Sequence, residues 1–311
     1  MKTISRLTVV AALATLAGTA TADDIFVAGA SGNIYRADAS ATFDLFVQTS
    51  QEVTSITFID DVLYAGTTAG NVMQYELATG ALVGSFNVLE PITALTAAGT
   101  DLFVGTESDK IIKYDMTTGT QIGSLQHIND VNALTAHNGN IIIGGIDTFV
   151  YSMPQSMSQP QLLTVCGGQV TCAAATGDTL LLGTLQGRVY SVNSNTGTYY
   201  NIFNMANVQH GIDIVNGEAL TTGAGTDLVT FNVSSGAQTG TIAAPEAAMT
   251  ISVLDLCEAD WNGDGSLDIF DYVEYGNSYS SNEPRADLDH NGSLNVFDYI
   301  AFGNLYAAGC K

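Results

Sequence analysis

Between residues 24 and 254, short apolar runs and turn residues alternate on a fixed clock. Glycine closes the turns Ala-Thr-Gly80, Thr-Thr-Gly119, Asn-Thr-Gly197 and Ser-Ser-Gly236, which lie 39 or twice 39 residues apart. The absent member falls at Ser158, inside the atypical stretch Met153-Pro-Gln-Ser-Met-Ser-Gln-Pro160. Small residues keep the same time at Ser55, Ala94, Ala133, Cys172, Gly211 and Thr250, each followed by an apolar residue such as Ile56, Leu95 or Ile251. A third series, Gly29, Gly66, Gly105, Gly144, Gly183 and Gly223, follows apolar runs such as Leu102-Phe103-Val104. The pattern counts six units.

Each unit predicts four short strands. In the third they are Ile92–Ala98, Asp101–Gly105, Ile111–Asp115 and Gln121–Leu125. The Thr-Gly turns join the third and fourth strands, where a tight hairpin needs a positive φ that glycine adopts without steric cost. Units of about 40 residues with four strands are the signature of a β-propeller. The small residue of the first strand suits the crowded axis where blades converge. The first unit begins at its second strand, and Met249–Leu254 reads as an innermost strand without successors. Pairing the two closes a six-bladed ring and removes exposed sheet edges.

Beyond residue 255 the pattern changes. Asp260-Trp-Asn262-Gly-Asp264-Gly265-Ser266-Leu-Asp268-Ile-Phe270-Asp271 and Asp287-Leu-Asp289-His-Asn291-Gly292-Ser293-Leu-Asn295-Val-Phe297-Asp298 are one loop written twice, 27 residues apart. Oxygen side chains stand at loop positions 1, 3, 5, 9 and 12, with glycine at 6 and a backbone carbonyl expected from Ser266 or Ser293 at 7. Ca²⁺ is a hard cation that takes six to eight oxygens in such a loop. Two ions are therefore expected. The first site is the tighter one, with four carboxylates (Asp260, Asp264, Asp268, Asp271) against three (Asp287, Asp289, Asp298).

Each loop opens a short helix. Phe270, Val273 and Tyr275, and in the second copy Phe297, Ile300 and Phe302, supply its apolar positions. On that periodicity Phe270 and Phe297 belong in the core, and Gly276 and Gly303 read as C-terminal stops. No helical pattern precedes either loop, so each is half an EF-hand, ending in Asp where the usual loop has Glu.

A duplicated loop–helix unit of this kind resembles a bacterial dockerin. The opening Cys257 and closing Gly309-Cys310 are similar to the GC-type variant. The resemblance covers residues 257–311 and implies docking to a cohesin-like or cell-surface partner. Positions 10 and 11 of each loop contact cohesin in that family and are often small hydroxyl residues. Here they are Ile269-Phe270 and Val296-Phe297. The propeller repeats, such as Leu-Tyr-Ala-Gly66-Thr and Leu-Phe-Val-Gly105-Thr, resemble those of pyrroloquinoline-quinone-like and WD40-like propellers. The adjacent cysteine pair of quinone-dependent alcohol dehydrogenases is absent, so no quinone is carried over.

The N-terminus reads as a secretory signal over residues 1–22. Lys2 and Arg6 precede an apolar run from Leu7 to Ala17, and Ala20-Thr21-Ala22 supplies the cleavage site. The run is too short for a membrane span. Export permits disulfides. Cys257 and Cys310 bracket the calcium module and would clasp its termini, stabilising it by about 3–4 kcal/mol in the chain-entropy model. Cys166 and Cys172 form the second expected pair, unless Cys172 is simply the small residue of its strand. Without the signal, six basic residues face thirty-one acidic ones. Nucleic acid and anionic lipid are then repelled.

The expected architecture is mainly β: a six-bladed propeller over 23–255, then a small α-helical, calcium-binding, dockerin-like module over 256–311. The function expected is a secreted, non-catalytic recognition or scaffold protein held at a partner by its calcium module. The alternative is a dockerin-bearing extracellular enzyme, either a propeller carbohydrate-active enzyme or a degenerate quinoprotein. His210 with Asp213, His127 with Asp130, and Glu107 with Asp109 are the pairs with acid–base potential, or are otherwise solvated loops. A channel mouth with converging acids and a polar histidine favours the enzyme. A mouth of Ser, Thr and Ala favours binding.

Overall fold

The computed structural model describes residues 24–37, 42–127, 130–205, 209–215, 217–223, 225–254, 259, 261, 267–281, 286, 288 and 293–308. The signal segment, Cys257, Cys310 and seven of the expected calcium ligands (Asp260, Asn262, Asp264, Ser266, Asp287, Asp289, Asn291) lie outside them.

The chain is mainly β, a six-bladed propeller of four-stranded antiparallel sheets with two helices near the C-terminus. The third unit forms strands Ile92–Ala98, Asp101–Thr106, Lys110–Asp115 and Thr120–Gln126, within one residue of the sequence pattern. One blade is built from both ends of the array. The last strand, β24 (Ala248–Leu254), pairs antiparallel with the first, β1 (Asp24–Gly29), with Val27 opposite Ile251. Glycines 80, 119, 197 and 236 all take φ between +66° and +69°, as their hairpins require.

Apolar side chains from facing blades fill the space between them in six clusters, for example Tyr64, Val72, Ile92, Leu95 and Val104. The second glycine series has its reason here. A Cβ on Gly66 would stand 2.6 Å from Ile92 Cγ2, one on Gly105 2.6 Å from Val131 Cγ1, and one on Gly144 2.6 Å from Val170 Cγ1. Each glycine makes room for the buried residue that opens the next blade's innermost strand.

The expected Cys166–Cys172 disulfide is not formed. Both are buried free thiols. Cys166 packs with Ala133, Val150 and Tyr190, whereas Cys172 sits with Leu181, Phe203 and Ile212, so the two belong to different inter-blade cores. Burial pushes each thiol up to about 12, which leaves them protonated and inert.

Helix α1 (Ile269–Ser280) and helix α2 (Val296–Ala308) are related residue by residue through the 27-residue repeat. Tyr275 stacks on its own equivalent, Phe302, with centroids 4.2 Å apart and planes 1° from parallel. Around that axis Tyr272 meets Phe302 at 4.9 Å while Tyr275 meets Tyr299 at 5.0 Å. Tyr272–Tyr306 at 4.7 Å is likewise mirrored by Tyr279–Tyr299 at 4.9 Å. Gly276 and Gly303 are not stops; both lie inside their helices. A Cβ on Gly276 would stand 2.8 Å from the Tyr299 hydroxyl, and one on Gly303 3.1 Å from that of Tyr272. They let the two helices approach. Among the described residues no helix is long and apolar enough to cross a membrane.

Candidate functional site

The innermost strands line a central channel, and one residue per blade narrows one end of it. Thr54, Thr93, Asn132, Thr171, His210 and Met249 stand at this level, spaced by 39 residues. Four of them are products of β-bulges. Strand pairing runs from Val53 to Ser55, from Ile92 to Ala94, from Val170 to Cys172 and from Ala248 to Thr250, leaving Thr54, Thr93, Thr171 and Met249 without opposite residues. A bulge re-aims the side chain it releases. Here each released threonine donates to the backbone carbonyl of the next blade: Thr54 Oγ1 to Ile92 O at 2.7 Å, Thr171 Oγ1 to Gln209 O at 2.5 Å, and Thr93 Oγ1 to Val131 O. The ring is an inter-blade latch and a channel lining together.

Outside this ring the channel opens into a mouth of about 820 Å³. Glu107, Asp130, Gln169, Pro91 and His210 line it. Burial lowers the His210 pKa, which disfavours a positive charge on the ring. Beside the mouth Asp109 holds φ at +63°, and its pKa is raised by burial, then by a hydrogen bond to, and the charge of, Asp130. His127 is buried close by, its ring edge-on to Tyr151 at 5.0 Å. Of the expected pairs, Asp130, Glu107 and His210 thus reach one cavity, while Asp109 and His127 stand behind it.

Asp213 lies further along the channel from His210, at the level of Thr57, Thr96 and Ser252. The carboxylate accepts from Val253 N at 2.7 Å, from Ile214 N at 2.8 Å and from the Ser252 hydroxyl at 3.3 Å. Burial among the convergent strands nonetheless pushes its pKa up to about 6. The channel wall between the two levels is otherwise Ser, Thr, Ala, aliphatic residues, Gly211 and Cys172.

The helical pair carries the second candidate surface. Asp268 caps α1 by accepting from Phe270 N at 2.7 Å, and Asn295 does the same for α2 with Phe297 N at 2.9 Å. Asp271 and Asp298, at loop position 12, are fully buried and accept from Asp268 N and Asn295 N at 2.7 and 2.8 Å. Ser293 is exposed.

No protein-family model matches the chain. No curated protein is significantly similar to it in sequence. Its fold is shared widely. A chain of the "Crystal structure of Nidogen/Laminin Complex" superposes with a TM-score of 0.68 at 10% identity, over 74% of this chain and 98% of that one. A chain of the "Crystal Structure of Mitotic Checkpoint Complex" does so with a TM-score of 0.58 at 20% identity, over 73% and 76%. At such identities the likeness concerns architecture alone.

One expectation about the site residues changes. Phe270 and Phe297 are not core: they are 63% and 64% exposed. Ile269, Val273, Val296 and Ile300 stand out beside them, so each helix shows solvent an equivalent apolar triad. Of the expected calcium ligands, Asp268, Asp271, Ser293, Asn295 and Asp298 are described, and among the described residues no group of three His, Cys, Asp or Glu side chains converges on a metal position. The bulge ring is the feature the sequence reading missed. Its signal was present as the residues one step before Ser55, Ala94 and Cys172, on the same 39-residue clock.

Proposed function

We propose that this chain is a secreted recognition or scaffold protein whose propeller presents a binding surface and whose C-terminal unit attaches it to a cohesin-like or cell-surface partner. The observation that carries the reading is the pair of equivalent, exposed triads Ile269, Phe270, Val273 and Val296, Phe297, Ile300. A short helix pair with a small aromatic core gains nothing by leaving six large apolar side chains in water, and burying each against a partner is worth about 1.5–3 kcal/mol. Ile269-Phe270 and Val296-Phe297 occupy loop positions 10 and 11, through which dockerins touch cohesins.

Calcium belongs to the same proposal. Two fully buried carboxylates, Asp271 and Asp298, end loops otherwise rich in oxygen ligands. A buried carboxylate is stable when hydrogen-bonded or bound to a cation. Two Ca²⁺ held by Asp260, Asn262, Asp264, Ser266, Asp268 and Asp271, and by Asp287, Asp289, Asn291, Ser293, Asn295 and Asp298, supply that cation. A Cys257–Cys310 clasp then ties the module's ends.

The enzyme reading finds its support in Glu107, Asp130 and His210 at the mouth, beside Asp109, whose pKa is raised by burial and by Asp130. The channel wall itself, lined by Thr, Ser and Ala, supports binding.

Fractionation of producing cells tests the docking reading. Phe270→Ser with Phe297→Ser changes no expected calcium ligand and is expected to move most of the protein from the cell-bound to the soluble fraction. Retention equal to wild type, with calcium uptake intact, would place the attachment elsewhere.

A further inference from the structure

We propose that the channel mouth above the bulge ring binds an aliphatic di- or polyamine, with methylene segments against Pro91 and Met249 and ammonium groups on Glu107, Asp130 and the threonine oxygens. The inference rests on reading the propeller as the recognition half of the chain, and it gives that half a ligand class.

Four observations converge. First, a cavity of about 820 Å³ has the size of pockets that enclose small organic molecules, and far exceeds a single hydrated ion. Second, its floor is biased towards acceptors. A hydroxyl has one proton and two lone pairs. Thr54, Thr93 and Thr171 have each given that proton to the next blade's carbonyl, so each turns only lone pairs to a ligand. Third, the fixed charge is of one sign. Glu107 and Asp130 line the mouth with no lysine or arginine among its lining residues, on a chain of net charge −23. Anions are repelled and cations concentrated. Burial disfavours an opposing positive charge on His210. Fourth, the lining residues include no Phe, Tyr or Trp for a sugar face to stack on, and offer instead Pro91 and Met249, which suit a flexible hydrocarbon chain. An inner-sphere metal fits less well, because Glu107, Asp130 and His210 line the mouth without converging as a metal-binding group, and no such group of three is found among the described residues.

The test is calorimetry on the full mature protein, saturated with calcium, in physiological salt, with spermidine and putrescine as probes. Saturable binding to one site is expected, with Glu107→Gln/Asp130→Asn weakening it by at least about ten-fold. Butane-1,4-diol, of the same length as putrescine without its charge, is expected not to bind. If the double variant loses its native circular dichroism, Met249→Lys places a competing ammonium in the mouth and is expected to abolish binding. No saturable uptake, or uptake that survives these changes, overturns the proposal, the latter by pointing to diffuse attraction at the acidic surface. A protein that stays cell-bound yet ignores amines sinks this inference alone. One that binds amines but is not retained sinks the docking reading alone.

Discussion

Glycine at positions 66, 105 and 144 is required by a neighbour rather than by its own backbone, and that separates it from the turn glycines. Gly105 has ordinary φ, but a methyl group there would press on Val131 Cγ1 in a filled inter-blade core. Gly119 takes φ +66° with nothing within 4 Å of a Cβ. Gly105→Ala is therefore expected to lose about 1–3 kcal/mol through overpacking. Gly119→Ala is expected to lose about 1–2 kcal/mol through backbone strain alone. Urea titration distinguishes them when Val131→Ala is added, since the smaller side chain relieves the first substitution and leaves the second unchanged. Equal responses would show that the close approach is not what selects glycine. The sequence displayed both series on one clock. It did not show which of the two causes applied, because only the partner blade supplies the second.

At the scale of elements, the informative seam joins β20 (Gly211–Val215) to β24. Ser55 Oγ and Thr96 Oγ1 accept from Leu95 N and Ala136 N of the following blades. Asp213 makes the same inter-blade bond to Val253 N, but with a carboxylate. Its pKa in the fold, about 6, exceeds the ordinary carboxylate value expected in the unfolded chain. The native state consequently binds the extra proton between about pH 4 and pH 6. Stability on this account rises as pH falls through 6, and the ionised group costs about 3 kcal/mol at pH 7. Asp213→Thr retains an acceptor for Val253 N without the charge. It is expected to melt higher than wild type at pH 7.5, with the difference shrinking towards pH 5. Parallel melting curves across that range would mean that Asp213 is not the titrating group. The neighbouring level, the bulge ring, escaped the sequence because a bulge is a property of strand register. Thr54 and Thr93 look like ordinary alternating residues until the pairing partner is known.

For the molecule as a whole, the propeller closes upstream of the two Asp-rich loops. Asp24 pairs with Leu254, so the ring is complete before residue 256 begins. Deletion of residues 256–311 is expected to leave the propeller's melting temperature within about 2 °C of its value in the intact chain, because surface-remote changes seldom exceed ±0.5 kcal/mol. Chelation of calcium in the intact chain is expected to melt the helical circular dichroism and spare the β signal, since ion binding to a site absent from the unfolded chain contributes directly to folding. Asp271→Ala with Asp298→Ala is expected to reproduce the chelated spectrum with calcium present. A single cooperative transition lost on either treatment would instead show the two parts to be energetically one.

The sequence by itself determined the blade count, the strand limits of the third unit to within a residue, the closure through β24 and the two-fold repeat of the helices. All of these follow from periodicity, which local sterics and burial impose on any chain that repeats. Tertiary structure alone decided which of two apolar stripes on each helix turns inward. Tyr272, Tyr275 and Tyr279 compete with Ile269, Phe270 and Val273 for the core. The tyrosines prevail because Gly276 and Gly303 admit the opposing hydroxyls and Tyr275 stacks on Phe302. It likewise kept Cys166 and Cys172 apart, in separate inter-blade cores, and brought Glu107, Asp130 and His210 from three blades to one mouth. Such meetings depend on the angle between neighbouring sheets, a quantity that no single repeat encodes.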